Sequence, residues 1–172
     1  FEYEYEAVGR LVLRRDGLGS EWLYEYDKAG QLVCAVDPVG NGQKYSYDAE
    51  GRLVGAVSPG GQSAAYSYDG LDNLVEKVAG DASASYRYDA EGRLVQMVDG
   101  TGETRFWYDA VGRLVSMRTP RGEVVGYAYN AAGDLAVLSY PDGGRVVYSY
   151  DVLHRVVKVV GRDGAAPEYS YG

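Results

Sequence analysis

One histidine, one cysteine and a set of evenly spaced aspartates are the residues in this 172-residue chain that most invite a catalytic reading. His154 precedes Arg155 as Gly51 precedes Arg52, so it takes the place of a turn glycine and is read as a turn residue. A Cys–His nucleophilic pair would require Cys34 and His154 to meet although nearly six copies of a repeated phrase separate them. Cys34 occupies a position held elsewhere by Leu13, Gly55, Glu76 and Gln96, which marks it as passive, and a single cysteine forms no internal disulfide. Asp27, Asp48, Asp69, Asp89, Asp109 and Asp151 would need to converge in pairs, in different environments, to serve as acid and base. Their identical settings argue for identical turn-capping roles instead. Calcium-binding glycine-rich rolls place their ligands within a nine-residue period, whereas these aspartates recur about every 21 residues. No "GxxxxGK" or "GxGxxG" phosphate loop is present. The expectation is no catalytic residue, no metal and no cofactor.

Tyrosine is the remaining candidate. The phrases "YEYDKAGQLV" (24–33), "YSYDAEGRLV" (45–54), "YRYDAEGRLV" (86–95) and "FWYDAVGRLV" (106–115) recur with looser copies between them. The second aromatic of each falls at Tyr5, Tyr26, Tyr47, Tyr68, Tyr88, Tyr108, Tyr129, Tyr150 and Tyr171, in steps of 20 or 21 residues. Exposed tyrosines could stack on sugars or on a protein. Their presence in every copy at one register favours packing between neighbouring hairpins.

The elements that must position these residues follow from two turn signals per copy. The first is D-x-x-G, as in Asp48-Ala49-Glu50-Gly51. Asp opens a type I turn by accepting backbone N–H groups, and Gly supplies a left-handed residue, which together make a hairpin with a G1 bulge. Gly30, Gly51, Gly92, Gly112 and Gly133 are therefore expected at positive φ. So are Asp72 and His154, since Asp, Asn and His are the non-glycine residues that best tolerate it. The second signal, of the same form, appears in "DPVG" (37–40), "SPGG" (58–61), "DGTG" (99–102), "TPRG" (119–122) and "YPDG" (140–143). Segments of about six residues rich in Tyr, Val and Leu lie between turns, the usual length and composition of strands. Period two places Tyr45 and Tyr47 on one face with Arg52 and Val54, where tyrosine and arginine could stack across the hairpin, and Leu53 and Val57 on the other. The fold class is all-β: tandem antiparallel hairpins with no helix longer than a turn. So many strands in one sheet curl, split or flatten, which points to a curled β-spiral or the wall of a shell.

The repeat fills residues 1–172, so the chain is one array of about eight repeats. Opening on "FEYEY" and closing on "EYSYG", it is expected to be an excerpt of a longer protein. Its net charge of −8 argues against nucleic-acid or anionic-membrane partners. No apolar run is long enough for a membrane helix.

"YDAEGRLV" in tandem at this period resembles the YD-repeat, or RHS-repeat, family, which includes bacterial Rhs toxins, the C component of insecticidal Tc complexes and teneurins. The resemblance implies a β-sheet spiralling into a hollow shell, often around a C-terminal toxin domain, and a secreted or surface location. Some such shells end in a "DPxxGRF"-like segment tied to self-cleavage; "YPDGGRVV" (140–147) is only a repeat turn, so self-cleavage is not implied. The function expected is a non-catalytic wall segment, with an adhesion or glycan-binding module as the alternative. The expected partners are neighbouring repeats of the parent protein, an enclosed toxin domain and, end to end, further copies. End-to-end association would pair the Tyr3–Tyr5 strand of one chain with a strand near Tyr169–Tyr171 of the next.

Overall fold

A computed structural model describes residues 1–162 and 164–171. Turns recur about every ten residues, too close for helices of ordinary length, and the segments between them are rich in residues that suit a pleated surface. Among the described residues there are sixteen strands and no helix.

The chain divides into two compact units, Phe1–Ser85 and Tyr86–Gly172. The first holds β1 (Glu2–Tyr5), β2 (Leu11–Arg15), β3 (Glu21–Tyr26), β4 (Leu32–Val36), β5 (Gly42–Tyr47), β6 (Leu53–Val57), β7 (Ser63–Tyr68) and β8 (Leu74–Ala79). The boundary falls within β9 (Ala82–Tyr88). The second unit continues with β10 (Leu94–Asp99), β11 (Gly102–Tyr108), β12 (Leu114–Arg118), β13 (Val124–Tyr129), β14 (Leu135–Ser139), β15 (Arg145–Tyr150) and β16 (Val156–Val160). Within each unit strand order follows chain order and neighbours pair antiparallel, so each is a single open layer of hairpins. The all-β meander expected from the period is the architecture found.

A single layer has nothing to bury against. Among the described residues no hydrophobic side chain is buried, and only Thr104 in β11, opposite Met97, is. Stability in each unit must come from contacts between successive hairpins, as in other repeat proteins.

The copy around Asp48 shows the local build. Gly51 N donates to Asp48 O at 3.1 Å, and Asp48 N donates to Arg52 O at 3.0 Å, the pattern of a type I turn closed by a G1 bulge. Gly51 takes φ 87°, a conformation that would strain any residue with a Cβ. Gly30, Gly92, Gly112 and Gly133 are likewise at positive φ, as are Asp72 (φ 65°) and His154 (φ 59°).

Two details go beyond the sequence pattern. The register slips by one residue between Ser46 and Tyr47, so Val54 is an extra residue on its strand. The same slip precedes Tyr5, Tyr26, Tyr68, Tyr108, Tyr129 and Tyr150. The period also shortens from 21 to 20 for a visible reason. At 79–82 and 99–102 the strands are joined by two-residue connections, with Ala79 paired to Ala82 and Asp99 to Gly102, which spares one residue.

Candidate functional site

The feature repeated in both units is a rung that ties one hairpin to the next. Between β6 and β7 the ladder stops at Gly55 opposite Ala65. The Leu53 carbonyl beyond it has lost its strand partner, and the Tyr68 hydroxyl donates to it at 2.9 Å. Tyr26 donates likewise to Leu11 O, Tyr47 to Leu32 O, Tyr108 to Leu94 O, Tyr129 to Leu114 O, Tyr150 to Leu135 O and Tyr171 to Val156 O, all within 2.8–3.0 Å. A side-chain hydroxyl replaces the missing ladder bond at each position, satisfying a carbonyl that would otherwise need water. Tyr5, in the first strand, is 60% exposed. Tyr88 ends β9.

Arginine completes the rung. Arg52 lies over the ring of Tyr68 with its central carbon 5.1 Å from the centroid, and Arg10–Tyr26, Arg93–Tyr108, Arg113–Tyr129 and Arg155–Tyr171 repeat the arrangement. This corrects the expected stacking within one hairpin, since the partner is the tyrosine of the following copy. Asp48 explains the direction. Its Oδ2 accepts from Arg52 Nε at 2.8 Å, which leaves the far end of the guanidinium to reach Asp69 O at 3.2 Å and Asp72 Oδ1 at 2.6 Å.

The aspartates are committed to their own turns. Asp48 Oδ1 accepts from Glu50 N and Arg52 N, Asp89 from Glu91 N and Arg93 N, Asp109 from Val111 N and Arg113 N, and Asp151 from Leu153 N and Arg155 N. Asp69 accepts from Leu71 N and Asn73 N, and Asp27 from Gln31 N. The Arg113 and Arg155 amides hold Asp109 and Asp151 below the usual carboxylate range. For Asp48 partial desolvation pushes upward, but the Arg52 amide and guanidinium outweigh it. Tyr47, Tyr108 and Tyr150 are pushed up by burial, which keeps their phenols protonated as donors. Each side chain is doing turn or rung work.

His154 has a partner the sequence reading did not assign: its Nδ1 lies 2.8 Å from Asp134 Oδ1. Asp134 occupies the position of Arg52, and His154 that of Asp72. The Arg52–Asp72 pair therefore reappears with its polarity reversed, as Asp134–His154. Asn130 stands where Asp48 does and donates to Asp134 Oδ2 at 2.9 Å. The three changes belong together, because an aspartate beside Asp134 would repel it. Alignment of the internal copies contains this signal: the two non-glycine left-handed residues, Asp72 and His154, each follow by 20 residues a side chain that hydrogen-bonds them, Arg52 and Asp134.

Cys34 is half-buried in β4 opposite Lys44, in the first unit, and His154 belongs to the second. Among the described residues no group of three or more His, Cys, Asp or Glu side chains is placed to hold a metal ion.

Tandem hairpins stapled by tyrosine and arginine, with aspartate-capped turns, define a YD/RHS shell-type repeat region. The chain belongs to the Teneurin YD-shell family, whose model matches residues 41–172, and residues 5–41 match the RHS Repeat model. No curated protein matches the sequence. Among solved structures, the crystal structure of TcdB2-TccC3-TEV aligns over 95% of this chain with TM-score 0.75 and 17% identity. The Tc holotoxin pore of Photorhabdus luminescens aligns over 92% with TM-score 0.69 and 14% identity. TcdB2-TccC3 without its hypervariable C-terminal region aligns over 91% with TM-score 0.58 and 15% identity. These likenesses establish a shared fold. The chain spans 11–12% of the length of the chains it matches.

Proposed function

We propose that this chain is a non-catalytic wall segment of a YD/RHS-repeat shell that encloses or carries a toxin or effector domain in a secreted bacterial protein. On this reading residues 1–172 are one stretch of a longer repeat array, and its first partners are the neighbouring repeats. The observation that carries it is the single-layer sheet without a core, whose polar and aromatic side chains are used to join copy to copy. Such a layer is suited to separating two spaces, and the repeat aspartates are spent on capping their own turns. The likeness to TcdB2-TccC3, one form of which is described as lacking a hypervariable C-terminal region, supports a cargo at the end of the array. The adhesion alternative is less well supported, because the repeated second tyrosines are spent on backbone carbonyls.

Limited proteolysis of the full gene product tests this. A C-terminal segment resistant to trypsin in the native protein, and digested once the repeat sheet is unfolded, is the expected result. A C-terminal segment cleaved at once under native conditions, with the repeats intact, contradicts enclosure.

A further inference from the structure

Scaffold residues recur from copy to copy, so a cluster of departures on one surface marks something local. The second unit has such a cluster. Arg105 of β11 stands directly opposite Arg118 of β12, and Gln96 of β10 lies opposite Arg105 on its other side. Like charges face to face across strands are destabilising; at the position of Arg118 other copies carry Val36, Val57, Val78 and Val98, and the one other arginine there, Arg15, is paired with Glu2 and Glu21. Trp107, 42% exposed, stands on the same face as Arg105 at a position held elsewhere by Ser46, Ser67, Ala128 and Ser149. Its cross-strand neighbours are small, Ser116 and then Gly126, which leaves a low floor beside the indole.

Two adjoining grooves open here. One, of about 290 Å³, is lined by Glu103, Arg105, Arg118, Thr119, Pro120 and Gly122. The other, of about 410 Å³, is lined by Arg87, Val95, Gln96, Arg105, Phe106 and Trp107. Glu103 is the one carboxylate among these residues, and it is already bonded to Arg105 and to Gln96. Arg87 and Arg118 are exposed and, among the described residues, make no hydrogen bond or ion pair, although Arg118 lies near enough to Glu103 to help hold its carboxyl below the usual range after Arg105 and Gln96. Three arginines lining these grooves against one carboxylate, in a chain of net charge −8, are a local reversal of sign.

We infer that this face of the second unit binds an acidic polypeptide segment in extended form. The guanidiniums of β9, β11 and β12 are spread over several strands about 4.8 Å apart, a spacing that suits carboxylates along a chain better than one compact phosphate. Arginine forks pair bidentately with carboxylates, and Trp107 offers an apolar flat for a side chain between them. The Arg105–Arg118 juxtaposition breaks a pairing rule, as expected of a binding surface.

Fluorescence anisotropy of a fluorescein-labelled ten-residue glutamate-rich peptide, titrated with the chain at low salt, tests this. Saturable binding is expected, weakened at least tenfold in the Arg105→Gln/Arg118→Gln variant and unchanged in Lys28→Gln, a cation on an exposed turn of the first unit. The Arg118→Gln single variant, which leaves the Arg105–Glu103 pair in place, should keep or raise its urea midpoint, since a like-charge contact is removed. Absence of saturable binding, equal binding by the double variant, or competition by inorganic phosphate or a sulfated oligosaccharide but not by unlabelled peptide would each overturn the inference. So would a lowered urea midpoint in Arg118→Gln, which would make that arginine structural.

Discussion

Replacing Tyr47 by Phe removes one oxygen atom and, with it, one rung. The Tyr47 hydroxyl donates to Leu32 O at 2.9 Å, beyond the point where the β4–β5 ladder ends at Cys34 opposite Lys44. Phe keeps the ring and its packing, so the loss is the hydrogen bond and the orphaned carbonyl. A hydrogen bond of this kind contributes about 0.5–1.5 kcal/mol net. Leu32 is only half-buried, so water can partly satisfy its carbonyl, and about 1 kcal/mol is expected. With a urea dependence of about 1–3 kcal/mol per molar, the unfolding midpoint should fall by about 0.3–1 M. Tyr45 is the internal control: it sits two residues away on β5 and its hydroxyl makes no hydrogen bond among the described residues, so Tyr45→Phe should leave the midpoint nearly unchanged. Amide hydrogen exchange should quicken in β4 and β5, and remain as in the parent chain in β13 and β14, because coupling in repeat arrays is between nearest neighbours. Equal midpoints for Tyr47→Phe and the parent chain, with unaltered exchange in β4 and β5, would refute the rung as a source of stability.

Other expectations follow from the same geometry. Gly51→Val should cost about 1–2 kcal/mol by forcing a β-branched residue to φ 87°, and Gly51→Asn clearly less; equal urea midpoints for the two would show that the turn is not left-handed. Arg52→Asp alone should lower the midpoint, while Asp48→Asn/Arg52→Asp/Asp72→His, which rebuilds the Asn130–Asp134–His154 arrangement, should recover much of the loss; no recovery would contradict the exchange of polarity. On the acid side, Asp109 and Asp151 have folded pKa values depressed by their turn amides, so their contribution is complete above the ordinary carboxylate value and lost as pH falls through the folded values. On the alkaline side, Tyr47, Tyr108 and Tyr150 have folded values raised by burial, so theirs is complete below about pH 10 and lost as pH rises further. Urea midpoints measured against pH should thus be flat between about pH 5 and 9, and a steep change near neutrality would count against this assignment.

Much of the fold could be read from the recurrence itself. D-x-x-G placed the turns, and Asp72 and His154 confirmed their hand, because only a left-handed position explains that choice of substitutes. What the period could not convey is where a side chain finds its partner. Tyr68 reaches Leu53 because the β6–β7 ladder ends at Gly55 and the register slips at Val54, and both facts concern strand ends rather than residue type. Arg52 stacks on the next copy because Asp48 holds its Nε, which a two-residue alternation cannot encode. The reversed triad Asn130–Asp134–His154 was present in the sequence, but it emerges only when copies are aligned and positions 20 residues apart are compared as donor and acceptor. The arginine face was obscured for the opposite reason, since averaging over copies hides residues that depart from the repeat.

End-to-end contact depends on free strand edges. β1 is exposed along its length, with Glu2 and Glu4 on that strand to discourage pairing. At the other end Tyr169 N donates to Val157 O and Pro167 O accepts from Val159 N, so the C-terminal segment lies along β16. Light scattering across a concentration series should show association that is abolished by placing proline at Tyr3, and a strict monomer throughout would contradict it.

The wall reading is tested most directly by an electron cryomicroscopy reconstruction of the full gene product that carries this chain. The account predicts that these strands form part of the wall of a closed cavity, with one face of the sheet turned to enclosed density. A reconstruction in which both faces of the sheet meet bulk solvent and nothing is enclosed would contradict it.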